Sequence, residues 1–232
     1  MTPRQFVKAA GAVAAFVAII FVGMLSSSRR VQAVDDDEER NESKIRIGFQ
    51  IAPVHLNLDD KDRELVGLGS YIVNAVADCN GCHNAGPGNN QFLPGGNPFF
   101  GQPTKINPAT YLGGGRDFGA FDKLQLSAHI ISRNLTPDRT GRPEGGHSFS
   151  DFLLIMRTGA DLDHLHPTCP PGVLNTGCVP LPFRGDLLQV MPWPIDKNMT
   201  DHDLRAIYEY LSAIPCIAGP PAPSNLHNDC DE

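Results

Sequence analysis

The spacing of apolar residues changes several times along this chain, and each change predicts an element. Residues 9–25, Ala9 to Leu25, are an apolar run flanked by basic residues. Ile45, Ile47, Phe49 and Ile51 alternate with Lys44, Arg46, Gly48 and Gln50, a period of two that predicts a half-buried strand or short extended arm. From Asp60 to Ala77 the period becomes helical, with Leu65, Leu68, Ile72, Ala75 and Val76 on one face and acids at the start, where the helix dipole favours them. Gly67 and Gly69 weaken that helix unless something packs closely on them. Asn84 to Leu124 is dense in Gly, Pro and Asn but carries Phe92, Phe99, Phe100, Tyr111, Phe118 and Phe121. Aromatics at that density predict an ordered loop wrapped over a hydrophobic object. A second helix is expected from Ser148 to Thr158, capped by Ser148 and Asp151, with Phe149, Phe152, Leu153 and Met156 on its face and Gly159 as its stop. In a third, Thr200 caps, Asp203 reaches back, Leu204, Ile207, Tyr208 and Leu211 form the stripe, and Pro215 ends it. No internal repeat is visible.

The 232 residues, 41% hydrophobic and 7% aromatic, suffice for one core in one or two domains. Twenty prolines and 23 glycines predict many turns and long loops around it. Arg4 and Lys8, the apolar run, Ser26-Ser27-Ser28, Arg29-Arg30 and Val31-Gln32-Ala33 describe a secretory signal cleaved before Val34. An uncleaved anchor that tethers the protein to a membrane through residues 9–25 is the competing reading. Either one places the rest in an exported compartment, the periplasm in a Gram-negative cell. Beyond this leader, 15 basic residues face 26 acidic ones, a net of −11. Such a surface disfavours nucleic acid and suits basic partners or plain solubility. The run Asp35 to Glu39 is a solvated spacer. The expected organisation is a leader at 1–33, an acidic linker and extended arm at 34–60, a main domain at 61–215 with an insertion at about 161–186, and a tail at 216–232.

Cys79-Asn80-Gly81-Cys82-His83 is the attachment pattern for a covalent c-type haem. Two thiols three positions apart on one helical turn reach the two vinyl groups of a porphyrin edge, and the adjoining imidazole lies under the iron. Six cysteines and eight histidines scattered at random over 232 residues give roughly 0.005 such patterns. A structural zinc site would need two more ligands at similar spacing. A thioredoxin-like pair would open a helix after a strand, whereas this one closes a helix, and a plain disulfide has no use for His83. A sixth ligand from methionine raises the iron's potential and closes it to exchange. The candidates are Met156, which suits a core; Met199, which suits packing before a cap; and Met191, at the head of Met191-Pro192-Trp193-Pro194, where the prolines are expected to hold the backbone extended and rigid. His164 and His166 compete with Met191 as ligands, although Pro167 suggests an exposed loop.

Several segments resemble a known family. Leu65-Val66-Gly67-Leu68-Gly69-Ser70-Tyr71-Ile72-Val73-Asn74, leading into the haem motif, resembles the first helix of a bacterial class I cytochrome c domain. Four later segments are similar to haem modules in the cytochrome subunits of membrane-bound alcohol and gluconate dehydrogenases. They are Asn134-Leu135-Thr136-Pro137-Asp138, Arg157-Thr158-Gly159, Met191-Pro192-Trp193-Pro194, and Met199-Thr200 with Ala206-Ile207-Tyr208-Glu209-Tyr210-Leu211. The likeness spans about residues 62–215. It implies a mainly α, class I cytochrome c fold with long Gly/Pro-rich loops, in which the first and last helices cross. It further implies that Met191 is the axial methionine, that Asn134 and Trp193 meet the propionates or ring edge, and that Tyr111 to Phe118 covers the haem. Three features depart from the pattern: a single motif where those subunits carry several, the insertion between Asp161 and Asp186, and the tail after Pro215. His83 and Met191 are also 108 residues apart, long for such a domain.

Cys169, Cys178, Cys216 and Cys230 lie in the extra regions, and an even number of cysteines in an exported chain argues for disulfides. Three pairings are open; local closure favours Cys169–Cys178 and Cys216–Cys230. The expected function is one-electron transfer, without enzymatic activity of its own, between a dehydrogenase, another cytochrome or a terminal oxidase. The alternatives are a cytochrome subunit within a dehydrogenase complex, a haem enzyme with an exchangeable sixth site (a peroxidase or sulfur-compound oxidase), and a haem-free binding domain held by disulfides.

Overall fold

A computed structural model of the chain describes residues 39, 41–84, 91–220, 224 and 226–230. The leader assigned to 1–33, with its tether at 9–25, lies outside them. Among the described residues no helix is long and apolar enough to cross a membrane. Contacts divide the chain into Met1–Ser43 and Lys44–Glu232. Of the first unit only residues 39 and 41–43 are described, and they are helical.

The second unit is partly helical, with one two-stranded sheet among its described residues. Residues 41–51 form helix α1, where a strand or extended arm was expected. Ile45, Gly48, Phe49 and Ala52 also fall at i, i+3, i+4 and i+7, and that helical spacing prevails. Gly48, read as an outward position, is the buried one: a Cβ there would stand 1.9 Å from the Gly67 carbonyl oxygen. The period-two pattern instead follows the helix, where Val54, Leu56 and Leu58 pack on the core while His55, Asn57 and Asp59 are exposed.

Helix α2, Arg63–Tyr71, is capped by Asp62, whose carboxylate accepts from the amides of Glu64 (3.0 Å) and Leu65 (3.1 Å). Its two glycines are contact points on opposite sides. A Cβ on Gly67 would strike Ile45 and Phe49 of α1, each at 2.7 Å. One on Gly69 would lie 1.9 Å from the carbonyl oxygen of Ala206, in the last helix. The close packing that the two glycines required is present on both faces. The helix then widens to π geometry over Ile72–Val76, and Asp78, left-handed at φ 46°, turns the chain into the one-turn helix α3, Cys79–Cys82.

Strands β1, Asp117–Ala120, and β2, His129–Ile131, pair antiparallel and are joined across the pair by His129 and Asp117 at 2.8 Å. These short strands were not expected from the Gly-rich pattern. Tyr111 and Leu112 of the same region are core residues at 2% and 0% exposure, whereas Phe99 and Phe100 are 85% and 76% exposed. The predicted wrapping loop therefore holds for Tyr111 and fails at the Phe99-Phe100 tip. The turn α4 is Pro143–Gly146. Helix α5, Phe149–Thr158, carries the expected Ser148–Asp151 capping box and stops at left-handed Gly159. The one-turn helix α6 is Trp193–Asp196, and α7, Asp201–Leu211, has the expected Thr200–Asp203 box. Helix α7 ends at Leu211, four residues before Pro215.

Helices α2 and α7 pack together, and Val66, Leu68, Val73, Phe152, Leu204 and Leu211 join Tyr111 and Leu112 in the core. Burying each large apolar side chain contributes roughly 1.5–3 kcal/mol. Cys169 pairs with Cys178, and Cys216 with Cys230, the pairing that local closure favours. The ends of the insertion are tied by the Asp161 amide to the Asp186 carbonyl (3.0 Å). The tail is held by buried Asn228, which donates to Thr136 O (2.8 Å) and Oγ1 (3.0 Å).

Candidate functional site

Cys79, Cys82 and His83 occupy one turn, and three bonds from the 112–116 segment hold it. Leu112 N donates to Asn80 Oδ1 (3.0 Å), Gly114 N to the His83 carbonyl (2.9 Å), and Arg116 Nη1 to the Gly81 carbonyl (2.5 Å). Gly114 is needed here: its φ is +70°, and a Cβ would lie 2.4 Å from the Arg133 carbonyl oxygen. The Tyr111 to Phe118 stretch thus grips the motif.

The motif opens on a cleft of about 210 Å³. Its wall brings Cys79, Cys82, His83 and Met191 together with Phe118, Ile130, Leu165 and Leu188. Two thiols, an imidazole and a thioether therefore share one mostly apolar hollow, although more than a hundred residues separate the two ends of the set.

His83 Nδ1 donates to the Arg133 carbonyl (2.8 Å). That bond fixes the tautomer and leaves Nε2 with its lone pair. Burial pushes the imidazole below its ordinary pKa, so the ring is held neutral, the form a metal binds. Cys79 is the opposite of an activated thiol: burial, then Asp196, Asp78 and Cys82, push it up to about 12. A dithiol oxidoreductase lowers the pKa of its attacking cysteine, so Cys79 is unsuited to that role. Cys79 and Cys82 are free while the other four cysteines are paired. Among the described residues no three His, Cys, Asp or Glu side chains are grouped so that they could hold a metal ion.

Met191 follows Val190, which is left-handed at φ 69°. The expected extended Met-Pro-Trp-Pro segment is a helical turn: Pro192 has ψ 32°, and Pro194 sits in the first turn of α6, where a missing amide costs nothing. Trp193 is not on the cleft wall. A Cβ on Gly159 would meet its ring at 2.2 Å, and Nε1 donates to the Leu188 carbonyl (3.2 Å). With Leu188 N bonded to the Gly159 carbonyl (2.7 Å), Trp193 clamps the loop that presents Met191. Asn134 is likewise absent from the wall. It is buried, accepts from Thr136 N and Oγ1 (3.0 and 2.8 Å) and donates to the Ile217 carbonyl (2.8 Å), tying the tail to the core. Met156 is core at 5% exposure, Met199 packs against the core, and His164 is exposed and away from the cleft. His166, expected on an exposed loop, is on the wall.

Arg133, Glu144 and Asp161 also lie on the wall and are not singled out by the sequence, whereas His166 is named there only as a rival ligand. Arg133 Nη2 bonds Asp161 (2.8 Å) and its Nη1 lies 3.3 Å from Asp163. Glu144 Oε2 and His166 Nδ1 are sealed from solvent with no hydrogen-bond partner. These residues come from separate loops, and no spacing announces them. Compared with protein-family models, curated proteins and solved structures, the chain matches none.

Proposed function

We propose that this protein is an exported monohaem c-type cytochrome of class I fold that carries single electrons between redox partners. The observation that supports this most is the convergence of Cys79, Cys82, His83 and Met191 on one apolar cleft. The donor set fits the group: two free thiols on one turn for covalent attachment, a neutral imidazole oriented from behind, and a thioether.

When bound, haem c supplies a one-electron iron couple. The chain's own residues do the rest. Cys79 and Cys82 would anchor the ring, and the Arg133 carbonyl, which accepts from His83 Nδ1, would keep the imidazole in the tautomer that can ligate iron. The Trp193 clamp sets Met191, and Phe118, Ile130 and Leu165 exclude water. Two disulfides support an oxidising, exported compartment. A net charge of −11 beyond the leader favours partners with basic docking faces, whether a dehydrogenase, another cytochrome or a terminal oxidase.

His166 is the specific rival for the sixth position, because it shares the wall and its Nδ1 lacks a partner. The ferric protein decides between them. Methionine ligation gives a weak red charge-transfer band, which Met191→Ala abolishes while His166→Ala preserves it. A band absent from the wild type, or surviving in Met191→Ala, excludes Met191. Rapid cyanide binding by the wild type would favour an enzyme with an exchangeable site over a carrier.

A further inference from the structure

Among the described carboxylates of the cleft wall, Glu144 is set apart by a side-chain oxygen that is sealed from solvent without a hydrogen-bond partner. It sits in the turn α4 with left-handed backbone (φ 56°, ψ 47°), beside left-handed Gly145. Such a conformation is costly for a residue with a Cβ. The residue as a whole is half-buried, yet Oε2 is sealed from solvent and unpartnered. The charged groups that bear on it are Arg133, Asp161 and Asp163. Arg133 Nη2 hydrogen-bonds Asp161 (2.8 Å), while buried Nη1 lies 3.3 Å from Asp163 as an ion pair without a hydrogen bond. His147 Nε2 lies 3.7 Å from Asp163, and His166 is on the same wall. One guanidinium therefore serves three carboxylates, leaving the cluster short of positive charge.

We propose that Glu144 is a redox-linked proton site: it takes up one proton from water as an electron enters the cleft from a donor protein, and releases it as the electron leaves. The inference rests on the haem reading above. In the balance, one electron from the donor and one proton from solvent enter together, Glu144 gains an O–H bond, and no other bond changes. An added electron makes the cleft more negative and so raises the carboxylate's proton affinity; its removal lowers it. Two features place Glu144 for this. It lines the cleft that holds Cys79, Cys82, His83 and Met191. Its neighbour Arg133 presents the guanidinium to the acid cluster and the carbonyl to His83 Nδ1 (2.8 Å), joining the proton site to the axial imidazole through one residue. Burial, the first cause, with Asp163 and Asp161 adding to it against the opposing pull of Arg133, moves the carboxyl up to about 7. The proton is then exchangeable near neutral pH.

The test is the midpoint potential of the haem-loaded full chain, measured by spectroelectrochemistry over about pH 5 to 9. The wild-type potential should fall by up to about 59 mV for each tenfold drop in proton concentration near neutrality. Glu144→Gln, which keeps the side chain's shape, should flatten that dependence while leaving the ferric spectrum unchanged. Infrared difference spectra of the wild type should show a protonated carboxyl band gained on reduction, a readout that needs no variant. A wild-type potential independent of pH, or a slope retained in Glu144→Gln, overturns the proton site and leaves the cytochrome reading intact. Failure to obtain covalent haem overturns both.

Discussion

At the scale of single residues, the Glu144 carboxyl also adds its own contribution to the pH dependence of stability. Its folded pKa stands near 7 against an ordinary 4.5. Between those values the folded chain holds a proton that the unfolded chain has lost, so stability falls as pH rises through the window and levels off above it. The shift corresponds to about 3 kcal/mol. Between about pH 5 and pH 8 the unfolding free energy from urea titrations should fall by about 3 kcal/mol more in the wild type than in Glu144→Gln, a comparison that cancels the opposing contributions of His83 and His166, which burial holds below their ordinary range. The Cys79 thiol gives a second expectation. Pushed up to about 12 by burial and neighbouring acids, it should react slowly with alkylating agents in the haem-free protein at neutral pH and become reactive on unfolding. Thiol-labelling mass spectrometry reads this directly, and rapid labelling of the folded state would contradict it.

At the scale of elements, α2 sits between two neighbours through glycines 67 and 69. Gly69→Ala drives a methyl to 1.9 Å from a backbone oxygen that cannot move without α7. A loss of about 3 kcal/mol or more in a denaturant titration is expected. Gly101→Ala, at φ 73° with nothing within 4 Å, should cost only the left-handed strain, about 1 kcal/mol. Helices α5 and α7 were legible in the sequence because capping box, apolar stripe and stop signal are all local. Helix α1 was not. Ile45, Ile47, Phe49 and Ile51 satisfy a strand's alternation by accident, and only contact with Gly67 makes Gly48 an inward position. The site divides in the same way. Cys79, Cys82 and His83 are adjacent and announce themselves, and Met191 was singled out by its proline-rich surroundings. Arg133, Glu144 and His166 gather only when the loops fold. Asn134 and Trp193, expected to meet the propionates or ring edge, bond instead to the Ile217 carbonyl of the tail and the Leu188 carbonyl of the Met191 loop.

At the scale of the molecule, one disulfide closes a loop between Asp161 and Asp186, and the other fastens the chain after Pro215. Cys216–Cys230 closes a separation of 14 residues and fastens the tail over the Asn134–Thr136 turn. Replacing both cysteines with serine should lower stability by about 3 kcal/mol and raise hydrogen exchange at Ile217 and Asn228, while leaving the visible spectrum of the haem protein unchanged. The central claim is tested most directly by intact mass spectrometry of the protein after full denaturation, produced as the full 232-residue chain in a host that exports proteins and attaches c-type haem. The account predicts a mass increase of one haem that survives denaturation and disappears in the Cys79→Ala, Cys82→Ala double variant. A wild-type chain recovered folded, colourless and without added mass from such a host would contradict it.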